Sequence, residues 1–314
     1  SIGKDTGWIA FPIIAKNNNE TVGFMPIFLK EHSYGEYVFD WAWAESFHQH
    51  GLNYYPKMLC GIPFTPITGP RIYAQDIEVK KILIKALEKI LEEHGISSCH
   101  ILFPDEQDHK LLNEIGWLSR HGVQFKWQNK NYNNFDDFLI TLTHNKRKKI
   151  RQERKKIKNS NICITQKTGE KIKTVDVDFF YRCYCNTYRD HHSSPYLTND
   201  FFHRLLNAMP EKILLVEAEF EGKKVASAFN VIGSDTLYGR YWGSLTYIPG
   251  LHFELCYYQG QEFCIENKLD FFEGGAQGEH KLARGFEPFS TYSNHFISNQ
   301  DFRIAIESFL DAES

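Results

Sequence analysis

The chain has 314 residues, 42% of them hydrophobic and 15% aromatic, with a net charge of −3. That is enough to core two domains. No apolar run approaches the roughly 20 residues that span a bilayer, and no signal peptide is visible. The seven cysteines form no CxxC pair, which predicts reduced thiols in a cytoplasmic compartment and no metal site. The chain opens at Ser1, without Met and close to a strand-like segment, so an N-terminal piece is expected to be missing.

The first half reads as a compact α/β unit. Segments 8–15 and 22–29 look like paired strands around an NNNE turn, and 37–43 like a further strand. A helix is expected over 45–59. Another over 77–93 carries apolar positions 79, 82, 83, 86, 87, 90 and 91 on one stripe. A strand at 100–103, a helix at 106–115 and a strand at 123–127 complete the unit. Trp41 and Trp43 are read as core aromatics, with a groove wall as the alternative. Arg71, ending the rigid loop PFTPITGPR, is a candidate anion contact.

Residues 144–158 (HNKRKKIRQERKKIK) hold nine Lys/Arg against the single acid Glu153, a local charge of +8 that leaves −11 for the rest. A helix here places Ile150 and Ile157 on one face and turns its cations outward. Lys146, Arg147, Lys149 and Arg151 form the expected basic patch, suited to nucleic acid phosphates, an anionic membrane surface or a diphosphate cofactor. A merely solvated face is the plainer alternative. Next come a strand at 161–166, helices at 175–188 and 198–209, and antiparallel strands at 212–220 and 223–232 joined by Glu221-Gly222. The run 236–242, a helix over 251–267 and a strand at 269–272 read as a βαβ crossover with parallel strands. The helix start can hold a phosphate or carboxylate on its unpartnered amides. A strand at 291–297 and a helix at 300–310 close the chain.

The densest chemistry lies in LDFFEGGAQGEHKLARGFEP, residues 269–288, where acids, an imidazole and two cations sit beside turn-permitting glycines. The plain reading is a solvated polar turn.

The segments GRYWGS, LHFELCYYQGQEFCIE, LDFFEGGAQGEHKLARGFEP and TYSNH closely resemble the FemAB-like branch of the GNAT (Gcn5-related acyltransferase) superfamily. The resemblance extends to HSYGEYVFDWAWAESF, PFTPITGPR, NKRKKIRQER and PYLTNDFF. It implies an α/β fold of tandem GNAT-like domains: a degenerate one at 1–142, the basic connector at 143–159, and a second at 160–314 carrying the site. It also implies a transferase moving an activated acyl group onto an amine by direct attack, as in peptidoglycan-type modification. Aminoacyl-tRNA or acyl-CoA is the co-substrate, and a peptide or small molecule carries the amine. The CoA signature R/Q-x-x-G-x-G/A is incomplete here: Arg240 and Gly243 fit it, but Leu245 stands at the second glycine position. This departure favours a tRNA donor and equally allows a non-catalytic adaptor that binds RNA or an anionic surface through the basic helix.

Acyl transfer needs a base for the amine and a donor for the oxyanion. Glu279 is the first candidate for the amine and His280 the alternative. Lys281 or Arg284 is assigned to the oxyanion or a donor phosphate, with Glu254 and His295 as secondary catalytic candidates. Arg240, Tyr241, Trp242, Gly243, His252, Gly274, Gly275, Gln277 and Gly278 are the expected substrate and donor contacts.

Overall fold

The computed structural model describes residues 1–3, 5–275 and 278–313, apart from the Glu279 side chain. The chain forms two compact units, 1–123 with 290–314, and 124–289. The division differs from the expected one: the basic helix belongs wholly to the second unit, and the C-terminal strand and helix return to the first. Strand Glu287–Ile297 pairs through Ser293–Ile297 with Ser98–Leu102, a long-range contact that local sequence does not announce.

In the first unit, Trp8–Ala10, Ile27–Lys30, Lys57–Cys60 and Ser98–Leu102 are successive sheet neighbours. Lys57–Cys60 and Ser98–Leu102 run parallel, joined by a crossover containing helix Ile77–His94. That helix begins on Asp76, whose carboxylate accepts the Val79 amide at 2.9 Å, and buries Leu83, Ile84, Leu87 and Leu91. The two expected N-terminal strands are each broken. Ile13–Asn17 and Glu20–Met25 form a hairpin in a separate small sheet, while the flanking pieces pair in the main one. Pro12 and Pro26 sit at the breaks and lack the N–H that a continuous ladder requires.

The strand expected at 37–43 and the helix expected at 45–59 are also corrected. Tyr37 takes a left-handed φ of 62°, the helix is Trp41–Gln49, and Lys57–Cys60 is a strand buried throughout. Lys57 disguised that strand. Its ammonium, with no side-chain exposure, donates to Ser33 (2.7 Å), Glu36 (2.8 Å) and Asp40. Burial opposes ionising Asp40, but Lys57 and His100 outweigh it and hold the carboxyl below its usual range.

In the second unit the sheet order is 124–128 (the end of strand Leu118–Gln128), Phe271–Glu273, Thr236–Ser244, Lys223–Ile232, Ile213–Phe220 and Ile162–Thr168. The expected antiparallel pair holds from Ile213↔Val231 to Phe220↔Lys223. Its turn residues Glu221 and Gly222 both have positive φ, 50° and 73°, as a two-residue hairpin of this hand requires. The expected parallel crossover is also present, pairing Thr236–Tyr238 with Phe271–Glu273. Basic helix His144–Asn159 buries Ile150 and Ile157 as the seven-residue spacing predicts. No helix among the described residues is long and apolar enough to cross a membrane.

Candidate active site where two parallel strands part

The parallel pairing ends at Tyr238 and Glu273. Just beyond it, strand Thr236–Ser244 carries a bulge: Phe229 faces Tyr241 and Asn230 faces Gly239, leaving Arg240 as the extra residue. A bulge re-aims side chains and loosens the ladder locally. A cavity of about 130 Å³ opens here, lined by Asn230, Arg240, Tyr241, Trp242, His252, Tyr257, Gly274 and Gly275 among others. It is below the roughly 300 Å³ of a whole-ligand pocket.

Six of the expected substrate contacts therefore meet at one place: Arg240, Tyr241, Trp242, His252, Gly274 and Gly275. Gln277 lies outside the described residues, as does the side chain of Glu279. Gly278 has φ 116°, and a Cβ there would meet the His280 ring at 2.3 Å, so it is needed for the imidazole to fold back over the turn.

Gly243 serves packing. A Cβ at this position would meet the Cys183 carbonyl oxygen at 2.0 Å and its carbon at 2.3 Å, where helix Thr174–Asp190 crosses the strand. Backbone cannot yield as a flexible side chain does. Gly243→Ala is expected to lower stability by about 1–3 kcal/mol or more, read as a shift in the urea midpoint.

Residues 251–266 form a continuous helix interrupted by a π-turn at Glu254–Tyr258, a feature frequent at functional sites. Tyr257 lies on that turn and lines the cavity. Its hydroxyl is 2.8 Å from His280 Nε2. Burial, then Lys281 and Arg284, keep the His280 pKa below its usual value, so the imidazole is neutral at pH 7. Tyr257 was not among the residues singled out from sequence. In CYY it reads as ordinary aromatic filling, and only the π-turn and the His280 contact mark it.

His252 packs 4.9 Å from the Trp242 ring. Burial, reinforced by His280, Arg284 and Lys281, lowers its pKa to about 4. Between pH 6.5 and 4 the unfolded chain therefore binds a proton at this residue that the folded chain does not, and stability falls as pH falls. Relative to His252→Asn, the wild type should lose about 2 kcal/mol between pH 7 and pH 5, measured by urea unfolding at the two values.

Lys281 is buried and donates to the Gly275 carbonyl at 2.9 Å, with burial lowering its pKa to about 8. Arg284 is 2% exposed. It donates to both Glu153 oxygens at 2.9 Å and to the His280 carbonyl at 2.8 Å, and stacks 3.5 Å over Phe253. Glu273 is also held in the neutral direction, by burial against the opposing Lys126 and Arg240.

The remaining expected residues are engaged elsewhere. Glu254 accepts from Arg154 at 3.2 and 3.0 Å, and the same guanidinium binds Glu262 at 2.7 and 2.8 Å. His295 is buried in the first unit, 2.7 Å from His100. Arg71, in the same unit, donates to the carbonyls of Leu102, Gly69, Pro70 and Ile67, so its guanidinium braces a loop. In the basic patch, Lys146 donates to the Leu282 carbonyl, Arg147 to those of Ile140 and Leu142, and Arg151 to Asp136. Lys149 is exposed, as are Lys148, Lys155, Lys156 and Lys158.

Over residues 1–314 the chain matches the FemAB-like family, described as peptidoglycan biosynthesis/recognition. It belongs to that family. Among curated proteins no sequence matches it. Its fold is shared with L-PGS from Bacillus licheniformis, at TM-score 0.55 and 10% identity, covering 97% of this chain and 88% of that one. FemX is similar at TM-score 0.54 and 12% identity, with 96% and 91% covered. The FemAB-like membership expected from sequence is shown by this match, and the mixed α/β fold agrees with the expected class.

Proposed function

We propose that this FemAB-like protein transfers an activated acyl or aminoacyl group onto an amine, at the cavity where the strands part. The observation that carries the reading is the Tyr257–His280 pair: a phenol lining the cavity, hydrogen-bonded to a neutral imidazole outside it. A neutral amine attacks the acyl carbon and a C–N bond forms. The surplus amine proton passes to the Tyr257 oxygen as the phenolic proton moves to His280 Nε2. On collapse of the tetrahedral adduct the C–O or C–S bond breaks, and the proton returns through Tyr257 to the leaving atom. Lys281 fixes Gly275 in the cavity wall, and Glu279 is retained as the group proposed to orient the amine.

Aminoacyl-tRNA or acyl-CoA is the proposed donor, and the amine of a peptide or small molecule the acceptor. The family description favours a cell-wall peptide, and the reduced-thiol composition a cytoplasmic setting. The exposed lysines of the basic helix suit a nucleic acid backbone, and the incomplete CoA signature agrees.

The test is fluorescence anisotropy of labelled tRNA at physiological salt, with transfer assays from aminoacyl-tRNA and acyl-CoA. The comparison variant is Lys148/Lys149/Lys155/Lys156→Glu, which spares the cations bonded within the fold. We expect tight binding that the variant loses, and transfer from charged tRNA. No binding by the wild type would leave acyl-CoA as donor. Binding without transfer from either donor would replace the enzyme reading with the adaptor.

A further inference from the structure

The basic helix carries one acid, and it faces inward. Ile150, Glu153, Arg154 and Ile157 follow the i, i+3, i+4, i+7 spacing of a single helical face. The two isoleucines are 1% and 3% exposed. Between them, Glu153 accepts from Arg284 through both carboxylate oxygens at 2.9 Å and from the Tyr258 hydroxyl. Arg284 in turn donates to the main-chain carbonyl of His280 and lies flat on Phe253. The Glu153–Arg284 pair is largely withdrawn from solvent, with side-chain exposures of 17% and 2%. Desolvated ion pairs of this kind are costly to break from one side, because the remaining charge is stranded.

The turn that Arg284 anchors is a single short 3-10 stretch, Glu279–Arg284. Main-chain bonds at its ends include Lys281 N to Gly278 O (3.1 Å), Gly285 N to Leu282 O (3.4 Å) and Phe286 N to Lys281 O (3.2 Å). From outside the turn, Gln261 donates to the Arg284 carbonyl at 2.9 Å and Lys146, on the same basic helix, to the Leu282 carbonyl at 2.8 Å. Arg284 is the side chain among these that bonds the His280 main chain directly, through that residue's carbonyl.

We propose that Glu153 is a positioning residue that acts through Arg284 to hold the 278–286 turn, and with it His280, against Tyr257. Its catalytic consequence rests on the transferase reading; its structural consequence does not. The sole acid in a strongly cationic helix thus has a defined task, and the helix that presents lysines outward also grips the turn carrying the imidazole.

The test is amide hydrogen exchange on the full chain, comparing wild type, Glu153→Gln and Tyr258→Phe. In Glu153→Gln, exchange of the 281, 285 and 286 amides should rise about tenfold or more, while the 213–231 strand pair stays as in wild type. Tyr258→Phe removes the other donor to Glu153 and should leave the turn protected, which separates loss of the Arg284 contact from loosening of the helix. Unchanged exchange at 281–286 in Glu153→Gln would overturn the proposal. So would a uniform rise across the unit, which marks a purely structural contact. Once an amine acceptor is in hand, Glu153→Gln should lower kcat with KM little changed, and Tyr258→Phe should not. Turn loosening without a kcat effect would leave the positioning role standing and count against the Tyr257–His280 relay.

Discussion

Tyr257→Phe is expected to slow acyl transfer by about 10²–10⁴-fold with little effect on KM, the range typical of a lost proton-transfer group. Tyr257 is the member of the pair that lines the cavity, so in the proposed relay its oxygen is the atom through which His280 would exchange a proton with substrate. The ring itself is 3% exposed and packs on Phe286 at 5.5 Å and Phe253 at 6.2 Å. Phenylalanine keeps that packing and gives up one hydrogen bond, about 1 kcal/mol of stability. A large drop in rate with an almost unchanged unfolding midpoint is therefore the predicted signature. His280→Ala should match it in rate, and the double variant should be no slower than either single one, because both act on one proton path. A Tyr257→Phe enzyme at full rate would remove the relay.

The second large effect concerns stability. Lys57→Met is expected to destabilise the first unit by about 3–5 kcal/mol, measured by urea unfolding. The side chain has no solvent exposure and faces two carboxylates that are themselves 2% and 3% exposed. Removing the ammonium strands Asp40 and leaves Glu36 only the more distant Lys30, at 3.8 Å, in a medium that cannot solvate them. If stranded charge is the cause, adding Glu36→Gln and Asp40→Asn to Lys57→Met should recover much of the loss. A loss that persists in the triple variant would point instead to packing of the lysine stem.

The two parts of the molecule were unequally legible from sequence. In the second unit, alternating apolar strands, a Glu-Gly hairpin turn and amphipathic helices each carry a local signal, and the elements lie close to their expected positions. In the first unit, the strand at Lys57–Cys60 was hidden. Its lysine reads as polar, yet it is buried because partners 17 and 21 residues away neutralise it. Pairing of that range leaves no mark on local periodicity. From the glycine-rich 274–278 stretch, Gly274 and Gly275 border the candidate cavity, but residue type alone did not sort their neighbours by role. Arg284 and Glu254 looked like reagents, and the fold gives each a charged partner on the basic helix.

By itself, then, the sequence determined most of the secondary structure of the second unit, helix Phe135–Thr141 excepted, together with the family, the charge asymmetry and a stretch that borders the candidate cavity. Each is written in short-range patterns of hydrophobicity, turn residues and motif spacing. Tertiary structure alone decided which polar groups face the cavity and which hold the fold. Whether a charge is available for chemistry depends on the partner that reaches it, and Glu153 and Arg284 are 131 residues apart in the chain and 2.9 Å apart in the fold.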